Sequence, residues 1–248
     1  GVTLEGVQPI EAVVKRRTQS GVLVRSKDLK KRRVLKTDAE IADHSDPHDW
    51  CALVKSALAV TGFKFGSRGL DIVIGADLPK GSGMGTSSIL GAATIAALMG
   101  EVDVDKVGGL TLRLEQEMRT GGGWEDQFAG MVGGVKMMRS SPGEEQHIAI
   151  ERIAMDKFSK ELSARSLLYF TGQKRMARNV LRRVIGFYAE NPHNFAKILI
   201  DSVKSTAERA KCALAAGDLE VFAECVNEYW SDKKLLDSGS TNERVEEI

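Results

Sequence analysis

Residues 79–88 combine the residue types that bind phosphate with a spacing that suits this task. The stretch 78–90 reads LPKGSGMGTSSIL, so alternating glycines are followed directly by hydroxyl side chains. A strand-like run (69–78) precedes it and an apolar helical run (89–99) follows. Glycines let the backbone approach an anion closely, and the N–H groups of a first helical turn attract negative oxygens. The residues expected to hold a nucleotide phosphate are Pro79, Lys80, Gly81, Ser82, Gly83, Met84, Gly85, Thr86, Ser87 and Ser88.

The positions of these glycines exclude other nucleotide-binding loops. A P-loop has a lysine directly before its hydroxyl residue, whereas Gly85 precedes Thr86 and Lys80 lies before the glycines. The dinucleotide fingerprint GxGxxG places its third glycine one residue later. The loop of protein kinases lies between two strands. An ordinary glycine turn does not need three glycines and three hydroxyls together.

A second segment places two carboxylates near a glycine-rich turn. Residues 115–130 read EQEMRTGGGWEDQFAG. Glu115 lies on a predicted helix (110–119) that stops at three glycines, which commonly end helices. Asp126 follows eleven positions later. Glu117 and Glu125 are the alternative acidic residues, and either could simply face solvent.

Together the two segments resemble the GHMP small-molecule kinases, whose second motif is Pro-x-x-x-Gly-Leu-Gly-Ser-Ser. The positions that match as they stand are Pro79, Gly83, Gly85 and Ser87. Met84 and Thr86 are conservative replacements. The string GGGWEDQ resembles the L-fucokinases within this family, as do the segments 46–63, 169–181 and 228–240.

The resemblance implies a sugar kinase that uses ATP and Mg²⁺. Asp126 is then the catalytic base that acts on the attacking hydroxyl, and Ser87 and Glu115 are the magnesium ligands. The substrate would be L-fucose, phosphorylated at its anomeric hydroxyl. The implied sugar-contacting residues are Gly122, Gly123, Trp124, Gln127, Thr171, Gly172 and Arg175.

Alternatives remain open at this point. The substrate could be another sugar of the same family, such as heptose phosphate, galactose, arabinose or glucuronate. A non-catalytic sensor of sugar or nucleotide on the same scaffold is a further alternative. Residues 171–179 carry three cations at a helix start, and either a solvated first turn or contacts to sugar or phosphate would explain them.

The surrounding pattern predicts an α+β fold, and the resemblance implies the GHMP kinase fold with its active site in a cleft between two domains. An ATP-binding domain is expected at 1–155 and a helix-rich domain at 156–248. The predicted strands are 12–16, 21–25, 70–76, 134–138 and 166–170. The predicted helices are 48–61, 86–99, 108–119, 173–190, 193–216 and 218–236. The basic stretch 25–33 is interpreted as a solvated hairpin tip.

Composition limits the partners and the compartment. A net charge of +1 disfavours a general nucleic-acid binder. Three cysteines without a CxxC pair suggest reduced thiols in a cytoplasmic protein. The sequence has no apolar run near the roughly 18 residues of a membrane span. His44, His48 and Cys51 could form a metal site, but Pro47 between the histidines favours a loop.

The ends of the chain carry a further expectation. The N-terminal sugar-binding segment and the third, glycine-rich motif of the family do not occur in the sequence. The chain is therefore expected to be an interior piece of a kinase domain. Because some fucokinases are bifunctional, the resemblance leaves open whether a pyrophosphorylase domain is fused to it in the parent protein.

Overall fold

A four-stranded mixed sheet forms the framework of the first part of the chain. The computed structural model describes residues 9–46, 48–78, 81, 83–141, 143, 147–154, 158–169, 171 and 177–247, with the backbone alone at 177–180. The strands are β1 (Ile10–Arg17), β2 (Val22–Ser26), β3 (Lys31–Leu35) and β4 (Gly69–Ala76), in the order β1-β4-β2-β3. The β4–β2 pair is parallel, and the two outer pairs are antiparallel. The predicted strands 12–16, 21–25 and 70–76 are confirmed.

The predicted hairpin at 25–33 is also confirmed, although it contains more strand than expected. Residues 27–30 form the turn, and Lys30 adopts a positive φ of 52°. Lys31 and Arg32, which were assigned to the tip, lie in β3 and are exposed. An edge strand needs only backbone pairing on one side, so its charged side chains can remain in solvent.

Within the residues that the structure describes, five helices complete the first unit and cover the sheet. They are α1 (Asp38–Ala42), α2 (Ala52–Val60), α3 (Thr86–Met99), α4 (Val104–Glu117) and α5 (Glu125–Met131). One buried cluster joins α2 to the sheet through Val54, Leu58 and Ile72. A second joins α2, α3 and α4 through Ala57, Ile95, Leu114 and their neighbours. The two clusters hold α3 and α4, which carry candidate site residues, on a packed base.

Helix α2 begins later than the sequence suggested because Asp49 organises the turn before it. The carboxylate of Asp49 accepts the Cys51 backbone N–H at 2.9 Å and pairs with Lys55 at 2.6 Å and with Arg33 at 2.7 Å. Burial raises the pKa of Asp49, but the hydrogen bonds from Lys55 and Cys51 and both cations outweigh it, so the pKa is lowered. The network fixes the start of α2 against β3.

A hairpin and a series of helices form the second unit. The strands are β5 (Lys136–Ser140) and β6 (Ile148–Arg152), which pair antiparallel. The α-helices are α6 (Ser159–Arg165), α7 (Ala177–Glu190), α8 (Pro192–Lys197), α9 (Ser205–Ala216), α10 (Leu219–Leu236) and α11 (Glu243–Glu246). A π-helical stretch, Ile198–Lys204, joins α8 to α9, and a 3₁₀ turn, Ser238–Ser240, follows α10.

The chain forms two compact units that divide at 133/134, and the expected domain boundary at 155/156 stays a prediction. The residues around the β5–β6 hairpin pack with later helices, since Val135 and Ile153 contact the buried pair Leu214 and Leu219. This packing assigns residues 134–155 to the second unit.

The predicted strand at 166–170 is wrong over the residues that are described. Residues 166–169 form no strand, and Leu167, Leu168 and Tyr169 are exposed. An apolar run becomes a strand only when a neighbouring strand pairs with its backbone, and the described residues provide none there. Among the described helices, none combines the length and apolarity needed to cross a membrane.

Candidate active site

The loop before α3 has the backbone conformation that its glycines permit. Gly81, Gly83 and Gly85 adopt left-handed φ values of 73°, 77° and 64°. Gly85 is the N-cap of α3 and, having no side chain, cannot cap the first turn itself. The hydroxyl oxygen of Thr86 is buried and has no hydrogen-bond partner within the described residues. An uncapped helix start with an unsatisfied hydroxyl suits a bound anion.

Asp126 lies directly against this loop. It stands in the first turn of α5, and its side chain is exposed. A methyl group placed on Gly85 would lie 2.6 Å from Cγ and 2.7 Å from Oδ1 of Asp126. The fold therefore joins the two segments that the sequence singled out, although 41 positions separate these two residues. Both belong to the first unit.

Close packing at two glycines holds α5 in this position. Gly130 of α5 faces the Ile89 side chain of α3, where an added methyl group would lie 2.7 Å away. Gly108 of α4 lies against the ring of Phe128 and leaves no room for a side chain. Trp124 packs edge-to-face on the same ring, with 6.4 Å between centroids. These contacts fix the helix that carries Asp126 against α3 and α4.

Glu115 is a buried carboxylate held by hydroxyl groups. Its relative exposure is 2%. Ser88 donates to Oε1 at 2.8 Å, and the Thr120 hydroxyl donates to Oε2. Ser87, which was predicted to share a metal with Glu115, is exposed on the first turn of α3. The contact with Glu115 is made by Ser88, and the Ser87–Glu115 pairing stays a prediction.

The glycine turn between α4 and α5 is tied to these residues. Gly122 lies beside Glu115, where an added methyl group would come within 3.0 Å of Oε2. The Gly123 carbonyl accepts a hydrogen bond from Gln127 Nε2 at 3.2 Å. Gln127 is fully buried, so it shapes the turn and presents no surface in this structure. Trp124 is half-buried.

The remaining predicted site residues divide into two groups. Thr171 is half-buried and belongs to the second unit. The predictions for Pro79, Lys80, Ser82, Gly172 and Arg175 lie outside the described residues.

The alternative acidic residues have other contacts. The Oε2 atom of Glu117 lies within hydrogen-bond distance of His44 Nε2, at 2.9 Å. Glu125 lies beside Gly123. In the described part of the chain, His, Cys, Asp and Glu side chains form no group of three or more that could hold a metal.

Sequence reasoning did not find the hydroxyl contacts of Ser88 and Thr120. Ser88 was included in the phosphate loop, and its hydrogen bond to Glu115 shows that it faces that carboxylate. Thr120 lies three residues past the end of the observed helix α4. The sequence signal that could have identified Thr120 is its hydroxyl group shortly after a carboxylate that was predicted to bind a metal.

Comparison with known proteins shows which family this chain resembles. Residues 52–134 match the family model of the GHMP kinases N-terminal domain. A "Bifunctional fucokinase/GDP-fucose pyrophosphorylase" from Arabidopsis thaliana is 34% identical over 259 residues, which cover 100% of this chain and 24% of that protein. An "L-fucokinase/L-fucose-1-P guanylyltransferase" from Bacteroides fragilis is 29% identical, covering 100% of this chain and 28% of that protein. The chain thus spans about a quarter of the length of these curated relatives.

A solved structure shows that the fold is shared. A D-glycero-D-manno-heptose 1-phosphate kinase from Bacteroides thetaiotaomicron superposes with a TM-score of 0.62 at 19% identity, covering 90% of this chain and 66% of that one. At this level of identity the similarity concerns the fold alone.

Proposed function

The chain contains a GHMP kinase N-terminal domain, and we propose that it belongs to a sugar kinase that phosphorylates L-fucose. The reaction would transfer the γ-phosphate of ATP to the anomeric hydroxyl and give fucose 1-phosphate and ADP. The observation that carries the proposal is the contact between Asp126 and Gly85. A carboxylate at the start of a phosphate-binding helix is where a base must lie to act on a hydroxyl that attacks the terminal phosphate.

The phosphate loop would bind the triphosphate through its backbone. Gly81, Gly83 and Gly85 adopt left-handed φ values, a conformation found in the backbone concavities that bind anions, and the first turn of α3 adds free N–H groups. The buried hydroxyl of Thr86 would then gain the hydrogen-bond partner that it lacks within the described residues. In phosphoryl transfer the protein takes little part in covalent chemistry, so positioning of the reactants and stabilisation of charge supply most of the catalysis.

Asp126 would accept the proton of the attacking hydroxyl. Its carboxylate is exposed and lies beside the helix start that we assign to the phosphates. The sugar would therefore lie on the exposed side of Asp126. We assign Trp124, Gly122 and Gly123 to the wall of the sugar site, with Gln127 behind them. The substrate-binding roles expected for Thr171, Gly172 and Arg175 stay predictions.

The residues near Glu115 suit magnesium. The Glu115 carboxylate and the serine hydroxyls of α3 offer oxygen ligands, which Mg²⁺ prefers. Mg²⁺ usually binds one or two carboxylates in addition to phosphate oxygens. Glu115, together with Ser87, would hold the ion. When bound, magnesium would neutralise charge on the phosphate oxygens.

The choice of L-fucose rests on the printed names of the two relatives that align with the whole chain. Both names also describe a second, nucleotide-transferring activity, so we propose a fused pyrophosphorylase domain in the parent protein. All three cysteines are free, and we propose a cytoplasmic location, where thiols stay reduced.

A substrate panel tests the proposal. The full-length protein that contains this sequence is assayed for sugar-dependent ADP release with Mg-ATP, and GTP is omitted so that a fused second activity cannot consume the product. We expect release with L-fucose and little with galactose or heptose phosphate. Release with one of the other sugars alone would assign a different substrate. Binding of ATP and fucose without ADP release would favour a sensor.

A further inference from the structure

The buried carboxylate of Glu115 is held from two directions. Its two oxygens accept different hydroxyls, Ser88 on Oε1 and Thr120 on Oε2. A carboxylate offers about four lone-pair sites, so each oxygen keeps capacity for one more partner. A side chain at 2% exposure that is held at both oxygens has little freedom to rotate.

Thr120 reaches Glu115 because of the way in which α4 ends. The Thr120 N–H donates to the Glu115 carbonyl at 3.1 Å, and the Arg119 N–H donates to the Gln116 carbonyl at 2.9 Å. Arg119 adopts a left-handed φ of 54°. These are the two hydrogen bonds and the left-handed residue of a Schellman cap. The cap returns the chain so that Thr120 lies beside the side chain of Glu115.

The same hydroxyl also contacts the glycine turn that leads to Asp126. The Gly122 N–H donates to Thr120 Oγ1 at 3.4 Å, and Gly122 itself lies beside Glu115 Oε2. One side chain thus contacts both the candidate metal ligand and the start of the turn toward the candidate base.

We propose that Thr120 is a positioning residue, which together with Ser88 holds the Glu115 carboxylate in the orientation that binds a divalent cation. The inference rests on the proposed function in assuming that Glu115 is a metal ligand. Hydroxyls that donate to a ligating carboxylate fix its orientation before the ion arrives, and removing such a partner commonly lowers metal affinity about 10- to 100-fold. Neither Thr120 nor Ser88 needs to touch the sugar.

Three variants of the full-length protein separate this role from general packing. Thr120→Val removes the hydroxyl at nearly constant shape, whereas Thr120→Ser keeps it. Thr111→Val is the matched control, because Thr111 is buried on the same helix and its hydroxyl bonds only to the Val107 carbonyl, at 2.7 Å, in the described structure.

The readout is the affinity for a non-hydrolysable ATP analogue with Mn²⁺ and with EDTA, measured by calorimetry. The ratio of the two dissociation constants isolates the contribution of the metal. We expect Thr120→Val to reduce this ratio about tenfold or more, and Thr120→Ser and Thr111→Val to keep it near the wild-type value. Circular dichroism verifies that each variant is folded.

Several outcomes would overturn the inference. They are an unchanged ratio in Thr120→Val, an equal loss in Thr111→Val, a loss in Thr120→Ser as large as in Thr120→Val, or a wild-type protein on which Mn²⁺ has no effect. If Thr120→Val does not fold, the decision rests on Ser88→Ala, which is expected to lower the ratio in the same way. Since no sugar is present in this experiment, a failure to phosphorylate fucose would count against the proposed reaction and would leave the metal-affinity result unchanged.

Discussion

Gly85 is the position where one added methyl group tests the proposed site most selectively. In Gly85→Ala the new carbon would lie 2.6 Å from Asp126 Cγ, 2.7 Å from Oδ1 and 2.8 Å from Cβ. Favourable carbon–carbon contacts need about 3.5 Å or more. The carboxylate of Asp126 must therefore move by about 1 Å, or the loop must move by the same amount.

Two effects of Gly85→Ala differ in size and in kind. The left-handed backbone at φ 64° disfavours alanine by about 1–2 kcal/mol, which lowers the free energy of unfolding. Displacement of a reacting group by about 1 Å costs about 10²-fold in rate. We therefore expect kcat to fall about 100-fold while the protein remains folded.

Gly100→Ala is the matched control. Gly100 ends the same helix with a φ of 71°, and an added methyl group would have nothing within 4 Å. It should show the same loss of stability in urea unfolding and an unchanged kcat for sugar-dependent ADP release. If both variants kept wild-type kcat, or lost it equally, the contact between Gly85 and Asp126 would not matter for catalysis and the reasoning would be refuted.

Three further predictions concern single side chains. Asp126→Asn should lower kcat by about 10²-fold or more, as expected for loss of a general base, and near-wild-type turnover would remove Asp126 from that role. The pKa of Asp49 is lowered in the folded protein. Its bonds with Lys55 therefore contribute fully to the free energy of unfolding at a pH above the ordinary pKa of about 3.9, and this contribution is lost as the pH falls below that value. Urea titrations between pH 5 and pH 3 should therefore show a shallower decline for Asp49→Asn than for wild type, and equal slopes would contradict this. Burial raises the pKa of the Cys51 thiol to about 11, so iodoacetamide at pH 8 should modify exposed Cys212 and spare Cys51 in the native protein, as peptide mass spectrometry would show.

The elements that the sequence predicted well are those whose signals are local. Helix α3 was placed at 86–99, as observed, because an apolar run begins directly after the glycines. Asp218 caps α10 by accepting the Val221 N–H at 3.0 Å, which supports the predicted helix 218–236. The resemblance to the GHMP kinases was also readable, since the glycine loop and the GGGWEDQ string are each a continuous segment of the sequence.

Other elements depend on partners that are distant in sequence. Strand β3 was hidden by the charges of Lys31–Arg33 and exists through its pairing with β2. The apolar residues 166–169 suggested a strand, but no described strand pairs with them. The short helix α1 was missed although Thr37 and Glu40 form a capping box, which is a local signal.

The candidate site follows the same division. The residue types at Gly85, Glu115 and Asp126 could be selected from the sequence, because their chemistry is explicit in the motifs. Their arrangement could not be predicted from the sequence, because α3, α4 and α5 are brought together by buried contacts such as Phe128 against Gly108. Whether Ser87 or Ser88 faces Glu115 depends on the rotation of α3, and one residue changes the helix face by about 100°.

Identification of the reaction product tests directly whether the protein phosphorylates L-fucose at its anomeric hydroxyl. The full-length protein is incubated with Mg-ATP and L-fucose without GTP, and the product is examined by ³¹P NMR with coupling to the sugar protons. We predict a phosphate ester on the anomeric oxygen, formed together with ADP and absent with Asp126→Asn. ATP hydrolysis to free phosphate, or a phosphate on another carbon of the sugar, would contradict it.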